Sequence, residues 1–369
     1  MHETRPLSFS YVYGTRGLDA IRGDWEDIFG RCANQSFYND WRWHLAIQRH
    51  LVADDLCYVR VSAGDRPVAI LPLQFTIKRF GVLFVRQLSF PVHPAIDLSD
   101  MPIVLDHDGG LFPALLDRLR KEPPFPWDVL QLVQLAERSA LRRELRQYGF
   151  TLRPNGFCAY LAKGAQDDRL LAQVSKKQAK NVLRHLRNAE SCHGAGNLSQ
   201  LLRCDDLDGQ YESFLQVEAS GWKGDGGTGS AIALRLDARA FYREVLGLFC
   251  QSGQAVVNVL RFRDTPVAAQ IGLRTGKSLN FLKIGYDERF KEFGPGAIAL
   301  LKAIELADGN TEEVNLVTCP PWSDRWHFQH EPKYLFEYFN QTIYGQLLKS
   351  MILARRRLRL SVKHEPGKA

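Results

Sequence analysis

The sequence predicts an α/β protein built from two similar units, each a mixed, mostly antiparallel sheet flanked by helices. Three observations carry this. The 369 residues exceed what one ordinary core holds. In each half the apolar pattern runs as helix, then as three consecutive strands, then as helix again. Hydrophobic residues make up 45% and charged residues 24%, the balance of a folded globular chain, and no apolar run reaches the length of a membrane span.

In the first half, Gly17 to Phe29 and Asp40 to Leu51 read as helices. Leu56 to Val61, Pro67 to Ile77 and Val82 to Leu88 read as consecutive strands, the first two joined by Ala63-Gly64-Asp65-Arg66. Helical patterns follow at 111–121 and 136–147, and strand-like runs at 128–133 and 150–162. The second half repeats the order. Helices at 207–220 and 237–252 flank a glycine-rich loop, strands follow at 254–262, 266–275 and 279–285, and then come a helix and a strand at 313–318. Tyr334 to Tyr344 suits a closing strand. The expected division is 1–165, 166–345 and a basic tail or helix at 346–369.

The net charge of +7 favours an anionic ligand or partner. The seven cysteines include no CxxC pair, so neither a disulfide framework nor a structural zinc site is expected. The N-terminal MHETRPLSFS has no apolar signal core, and a reducing cytoplasm is the simplest compartment.

Residues 279 to 309 read LNFLKIGYDERFKEFGPGAIALLKAIELADG. Leu279, Phe281, Leu282 and Ile284 suit a buried strand. Pro295 fits the first position of a helix whose Ala297, Leu300, Leu301 and Ile304 make one apolar stripe. Gly294 and Gly296 keep side chains away from the free N–H groups of the first turn, which suits an anion. A tight loop with a well-capped helix fits the same residues.

Three strands leading to a glycine-rich helix start is also the order of the GCN5-related acetyltransferase (GNAT) fold. There the phosphate loop reads [Gln/Arg]-x-x-Gly-x-[Gly/Ala], and Lys291-Glu292-Phe293-Gly294-Pro295-Gly296 matches it with lysine in first place. Together with EASGWKGDGGTG at 218–229, the stretch resembles the CelD-like acetyltransferases of cellulose and exopolysaccharide synthesis, a tandem GNAT-like architecture related to Fem-type transferases. The departure lies at 319–326, CPPWSDRW, where Ser323 follows Trp322 and an aromatic-Lys pair before the tryptophan is missing.

The resemblance implies an acyl-CoA site formed by Lys283, Ile284, Lys291, Phe293, Gly294, Pro295, Gly296 and Ala297, and no metal. Glu218 is the first choice for a general base, Tyr286 for the proton donor to the leaving thiolate, and Asp287 for a second carboxylate. Trp222, Lys223 and Gln270 are candidates for substrate contact. The N-terminal unit is expected to lack the phosphate motif and to wall the acceptor side of a cleft between the units, because its strand at 82–88 leads into SFPVHPAIDLSD.

Gly224 to Gly229 satisfies GxGxxG, but it follows a helical run, where a dinucleotide fingerprint must follow a strand and open a helix. In SKKQAKNVLRHLRNAE at 175–190, Ala179, Val182, Leu183 and Leu186 form an apolar stripe, and Lys176, Lys180, Arg184 and Arg187 form a basic face. That face suits solvent, the acceptor's phosphates, the cofactor's ribose phosphate or tRNA. The arginines at 355–359 suit a surface helix or a weak anionic-membrane contact.

The expected activity is acyl transfer from acetyl-CoA or a longer acyl-CoA to an amine or hydroxyl of a small molecule or sugar precursor. A Fem-type transferase using aminoacyl-tRNA and a non-catalytic acyl-CoA-binding module are the competitors.

Overall fold

The chain lays down one series of elements twice. In the computed structural model, residues 6–52, 56–105, 110–165, 167, 169–221, 223–224 and 226–362 are described, the side chains of 357–362 excepted. The first pass runs β1 (Leu7–Tyr13), α1 (Gly14–Ala20), α2 (Arg22–Arg31), α3 (Trp41–His50), β2 (Leu56–Ala63), β3 (Arg66–Phe80), β4 (Leu83–Ser89), α4 (Leu111–Lys121), β5 (Val129–Leu135), α5 (Ala140–Gln147) and β6 (Leu152–Ala162). The second runs α6 (Leu170–Gln173), α7 (Lys176–His193), β7 (Gly196–Gln200), α8 (Leu207–Ala219), α9 (Leu236–Cys250), β8 (Ala255–Phe262), β9 (Thr265–Thr275), β10 (Ser278–Tyr286), α10 (Pro295–Ala307), β11 (Glu313–Asn315), β12 (Gln329–Phe339) and α11 (Ile343–Val362).

Strand pairing makes the repeat explicit. In the first unit β1, β2, β3 and β4 pair antiparallel in succession, then β4 pairs parallel with β5 across the crossover through α4. In the second unit β7, β8, β9 and β10 do the same, and β10 pairs parallel with β11 across α10. Each series gains one more antiparallel neighbour: β12 beside β5, and β6 beside β11. Each is therefore mixed and mostly antiparallel, as the alternation of apolar runs predicts.

The units are interleaved in sequence. One comprises the described residues of 1–33, 54–155 and 334–369, and the other those of 34–53 and 156–333. The α3 segment joins the second unit through side chains. The Trp43 ring packs edge-on to Phe241 at 5.0 Å, the Arg42 guanidinium lies 3.9 Å from the Phe249 ring centroid, and Arg49 and His50 both engage Glu244. These contacts span some two hundred residues of sequence, so no local pattern reports them.

The first core gathers Leu71, Leu88, Leu130 and Leu132 of the sheet with Phe112, Leu115 and Leu119 of α4. The second sets Ile298, Leu301 and Ile304 of α10 against Val256, Leu260 and Phe281. At about 25 cal/mol per Å² of apolar surface, burying side chains of this size contributes roughly 1.5–3 kcal/mol each, which fixes α10 and its first turn on the sheet.

Several expectations are corrected. Gly17 to Phe29 is two helices meeting at Ile21. The strands β1 and β7 were not read from sequence, although Leu7, Phe9 and Tyr11 alternate toward the core. The expected strand at Tyr334–Tyr344 starts and ends earlier, at Gln329–Phe339, and α11 begins at Ile343. On α7, Leu183 points outward at 45% exposure, and Ala189 completes the buried stripe instead. Cys204, just before α8, is disulfide-bonded to Cys250 at the end of α9, a pairing that the scattered cysteines did not suggest. No helix among the described residues is long and apolar enough to cross a membrane.

Candidate active site

The second unit opens where two parallel strands part. β10 pairs with β11 only over residues 278–280, against 313–315. On its other side β10 stays paired with β9 as far as Tyr286, with a bulge between Phe281 and Lys283. β11 meanwhile ends in a turn at Val317, held by the Asn315 side-chain oxygen, which accepts the Val317 N–H at 2.7 Å. Val317 has φ +51°, a left-handed conformation that costs a β-branched residue energy and recurs beside functional sites. The edge of β10 from 281 to 286 thus has no strand partner on the β11 side among the described residues. A cleft of about 580 Å³ opens along it, and every described residue lining it belongs to the second unit.

The start of α10 forms one wall. Gly294 is the N-cap with φ +58° and ψ +49°, a conformation that suits glycine, and Pro295 follows in the first helical position. No side chain among the described residues caps this helix. Ala297 and Ile298 both donate to the Gly294 carbonyl, at 3.0 and 3.1 Å. The Gly296 N–H has no hydrogen-bond partner among the described residues and stands beside Lys291, Pro295 and Ala297 in the cleft wall. This fits an anion: a free amide, the positive end of a thirteen-residue helix and a nearby ammonium. A Cβ at 296 would lie in van der Waals contact with the Tyr286 ring, 3.4 Å from its Cδ1.

The opposite wall comes from the end of α8. Glu218 is buried, at 3% exposure. One carboxylate oxygen accepts the Ile232 N–H at 2.8 Å, and the other lies 3.0 Å from the Lys223 ammonium. Its closeness to β10 depends on Gly285, because a Cβ there would sit 3.0 Å from the Glu218 Cα. The loop after α8 is closed by the Ala231 N–H donating to the Lys223 carbonyl at 2.8 Å, which holds Lys223 in the cleft wall.

Tyr286, the last residue of β10, stands between these walls at 37% exposure. Its phenol is pushed above the ordinary tyrosine range, first by burial and then by its hydrogen bond to the Glu288 carboxylate and the charge of that group. It keeps its proton through neutral and mildly alkaline pH.

The predicted residues divide clearly. Glu218, Lys223, Ile284, Tyr286, Lys291, Gly294, Pro295, Gly296 and Ala297 all line the cleft. Asp287 does not. It caps the short 3-10 segment Glu288–Phe293, accepting the Arg289 N–H at 3.0 Å and a guanidinium bond at 2.6 Å. Burial pushes its carboxyl up, but the Arg289 bonds and charge outweigh this and hold it below the usual range. Gln270 is buried and accepts from the Asn258 amide at 3.0 Å. Phe293 packs into the core beside His193, and Lys283 is not among the lining residues. Trp222 lies outside the described residues.

Sequence reasoning missed Gln178, Thr318, Pro320, Trp322, Arg325 and Trp326, which also line the cleft. Four of the six belong to CPPWSDRW. Its short 3-10 segment Pro321–Trp326 follows the turn at Val317 and brings two indoles and a guanidinium to the cleft. The density of proline and tryptophan there was the available signal. On α7, Lys180, Arg184 and Arg187 line a second hollow with Lys177, not with Lys176 as the helical spacing suggested.

Residues 176–316 match the acetyltransferase (GNAT) domain family. The fold of the chain is similar to three solved structures. FemX has a TM-score of 0.57 at 10% identity, covering 90% of this chain and 98% of that one. The C-terminal domain of a putative lysylphosphatidylglycerol synthetase from Agrobacterium fabrum has 0.52 at 13% identity, covering 91% and 97%. L-PGS from Bacillus licheniformis has 0.50 at 14% identity, covering 86% and 96%. At these identities the likeness is one of fold. No curated protein matches the sequence. The matched stretch builds α7 through β11, and with it most of the cleft.

Proposed function

We propose that this protein transfers an acyl group from an acyl-CoA, acetyl-CoA or a longer one, to an amine or hydroxyl of a sugar or exopolysaccharide precursor, as a CelD-like acetyltransferase. The observation that carries the reading is the uncapped start of α10, with its free Gly296 N–H, opening onto the parted edge of β10.

The thioester supplies the activated acyl group, and the chain's residues do the rest. The α10 start and Lys291 hold the diphosphate by helix amides and charge. The open edge of β10 at 281–286 offers backbone groups to the amide-bearing arm and aims the thioester at the cleft. Glu218 takes the proton of the attacking amine or hydroxyl, with Lys223 holding the carboxylate in place. A carbon–nitrogen or carbon–oxygen bond forms as the carbon–sulfur bond breaks, and Tyr286 gives its proton to the departing sulfur. The raised Tyr286 phenol suits that task, because it stays protonated where a normal acidic group would not.

The test is calorimetric titration with acetyl-CoA, followed by an assay for free thiol against amino sugars and hydroxylated sugars. Tight binding with acceptor-dependent thiol release supports the reading, and failure to bind any acyl-CoA removes it. Binding without thiol release for any acceptor would favour a non-catalytic acyl-CoA module.

A further inference from the structure

Next to the cleft lies a second hollow, of about 650 Å³. Lys177, Lys180, Arg184 and Arg187 of α7 line it together with Arg325 of the 3-10 segment Pro321–Trp326, and no carboxylate lines it among the described residues. Gln178 and Arg325 belong to the walls of both spaces, so the two are contiguous. We propose that this hollow binds the diphosphate of the acceptor, a diphosphate-linked sugar whose amine or hydroxyl then reaches the neighbouring cleft. The proposal rests on the acyl-transfer reading and names the substrate class for it.

Four features separate the hollow from an ordinary solvated helix face. First, the cations are uncompensated. Elsewhere Arg86, Arg289 and Arg356 are each held by a carboxylate, whereas no ion pair joins Lys177, Lys180, Arg184, Arg187 or Arg325 to an acidic side chain among the described residues. Arg184 is held only by the Asn181 amide oxygen, at 2.8 Å. The one acid of α7, Glu190, already accepts the Gly196 N–H. Second, Lys177, Lys180, Arg184 and Arg187 fall at i, i+3, i+7 and i+10, where like charges crowd one stripe and weaken the free helix. A bound anion reverses that penalty.

Third, Arg325 comes from a separate element and converges on the stripe, making the surface concave rather than convex. Fourth, the charge count exceeds one monoanion. Three guanidinium forks and two ammonium groups match the several oxygens of a diphosphate, which each fork can hold by two parallel bonds. The donor's own diphosphate has a separate place at the α10 start, so a second polyphosphate site alongside it belongs to the other substrate. A hollow of this size also suits a nucleotide-sized group. A nucleoside diphosphate and a lipid diphosphate present the same chemistry to these side chains.

The test uses the full chain and calorimetry with inorganic pyrophosphate, uridine diphosphate, CoA and dephospho-CoA, the last lacking the 3′-phosphate. The variant is the triple Lys180→Gln/Arg184→Gln/Arg187→Gln, and its melting temperature should be unchanged or raised because like charges are removed. Pyrophosphate and uridine diphosphate should bind the CoA-saturated parent and bind the variant at least about tenfold more weakly, with a flatter salt dependence, while CoA affinity stays within about twofold. Tighter binding of uridine diphosphate than of pyrophosphate to the parent supports a nucleotide-linked acceptor, and equal binding supports a lipid-linked one. The proposal is overturned if pyrophosphate does not bind the CoA-saturated parent. It is overturned equally if CoA weakens in the variant as much as pyrophosphate does while dephospho-CoA is unaffected, which would give the hollow to the donor's 3′-phosphate. Deacylated tRNA binding far more tightly than pyrophosphate, and lost in the variant, would also overturn it. If CoA fails to bind the parent at all, the acyl-CoA reading falls. The hollow is then judged separately, by whether the triple variant loses pyrophosphate binding that Gly296→Asp retains.

Discussion

In the first unit β4 pairs with β5 through its final residues, Gln87 to Ser89, and Phe90 extends the ladder with its N–H on the Gln131 carbonyl at 3.2 Å. In the second unit the equivalent strand, β10, leaves β11 after residue 280 and runs on alone on that side. The helix starts differ in the same sense. At the start of α4 the Phe112 N–H is taken by the Glu144 carboxylate at 3.0 Å, and the Tyr148 ring lies 2.9 Å from where a Cβ on Gly110 would be. At the start of α10 no side chain among the described residues caps the helix and the Gly296 amide is open. Residues 99–104 of the first unit also fill in beside its sheet, with Ser99 bonded to Gln134 and Met101 and Ile103 in the core. One wiring therefore yields a filled crossover in one unit and an open one in the other. The wiring alone opens no cleft; the parting of the strands beside an uncapped helix start opens it.

The largest expected effect comes from closing the open helix start. Gly296→Asp places a carboxylate beside the free amide and the Tyr286 ring, so acetyl-CoA affinity should fall by about two orders of magnitude while far-UV circular dichroism is preserved. Unchanged affinity in a folded variant would mean that α10 is no more a ligand site than α4. Next is Glu218→Gln, which keeps the shape and removes the proton acceptor. Turnover should drop about a hundredfold with donor affinity nearly unchanged. For an amine acceptor the loss should shrink at high pH, where the amine is already neutral, and for a hydroxyl acceptor it should not. A pH–rate profile that overlays the parent's would remove Glu218 from the chemistry.

The filled crossover is expected to respond in stability alone. Glu144→Ala leaves the buried Phe112 N–H without its acceptor, which should cost about 1–3 kcal/mol, seen in denaturant unfolding, with acetyl-CoA affinity unaltered. A variant that gained anion affinity would show that Glu144 alone kept the first unit from binding.

The smallest effect concerns Asp100, whose carboxyl is pushed up to about 7 by burial, against the lowering hydrogen bonds from the Met101 N–H and the Ser139 hydroxyl. The folded state thus holds this proton more tightly than the unfolded chain does. The stability it contributes is full below the unfolded pKa near 4, and is lost as pH rises toward about 7. Asp100→Asn should flatten that part of the stability curve and leave the protein more stable than the parent at alkaline pH. A slope identical to the parent's would mean that Asp100 is ionised in the fold.

Much of the contrast is legible in the sequence, because it is local. Gly294-Pro295-Gly296 with the stripe from Ala297 to Ile304 states an uncapped, anchored helix start, and SFPVHPAIDLSD after β4 shows no counterpart. The order of three strands, helix and strand is equally local. What escapes is set by distant contacts or by register. That α3 belongs to the second unit depends on Phe241, Glu244 and Phe249. Asp287 looks free until Arg289 folds back on it. Whether Lys176 or Lys177 faces the second hollow turns on about 100° of helix rotation, which spacing constrains poorly when both neighbours are lysine. The turn at Val317, which parts the strands, has no glycine to announce it.

The central claim is that ligand binding belongs to the open crossover and not to its filled counterpart. Amide hydrogen exchange, followed by mass spectrometry with and without saturating acetyl-CoA, reads both at once. Exchange should slow in peptides covering 281–301 and stay unchanged in those covering 87–121. Slowing confined to 87–121, or no slowing at 281–301 in protein shown calorimetrically to be saturated, would contradict it.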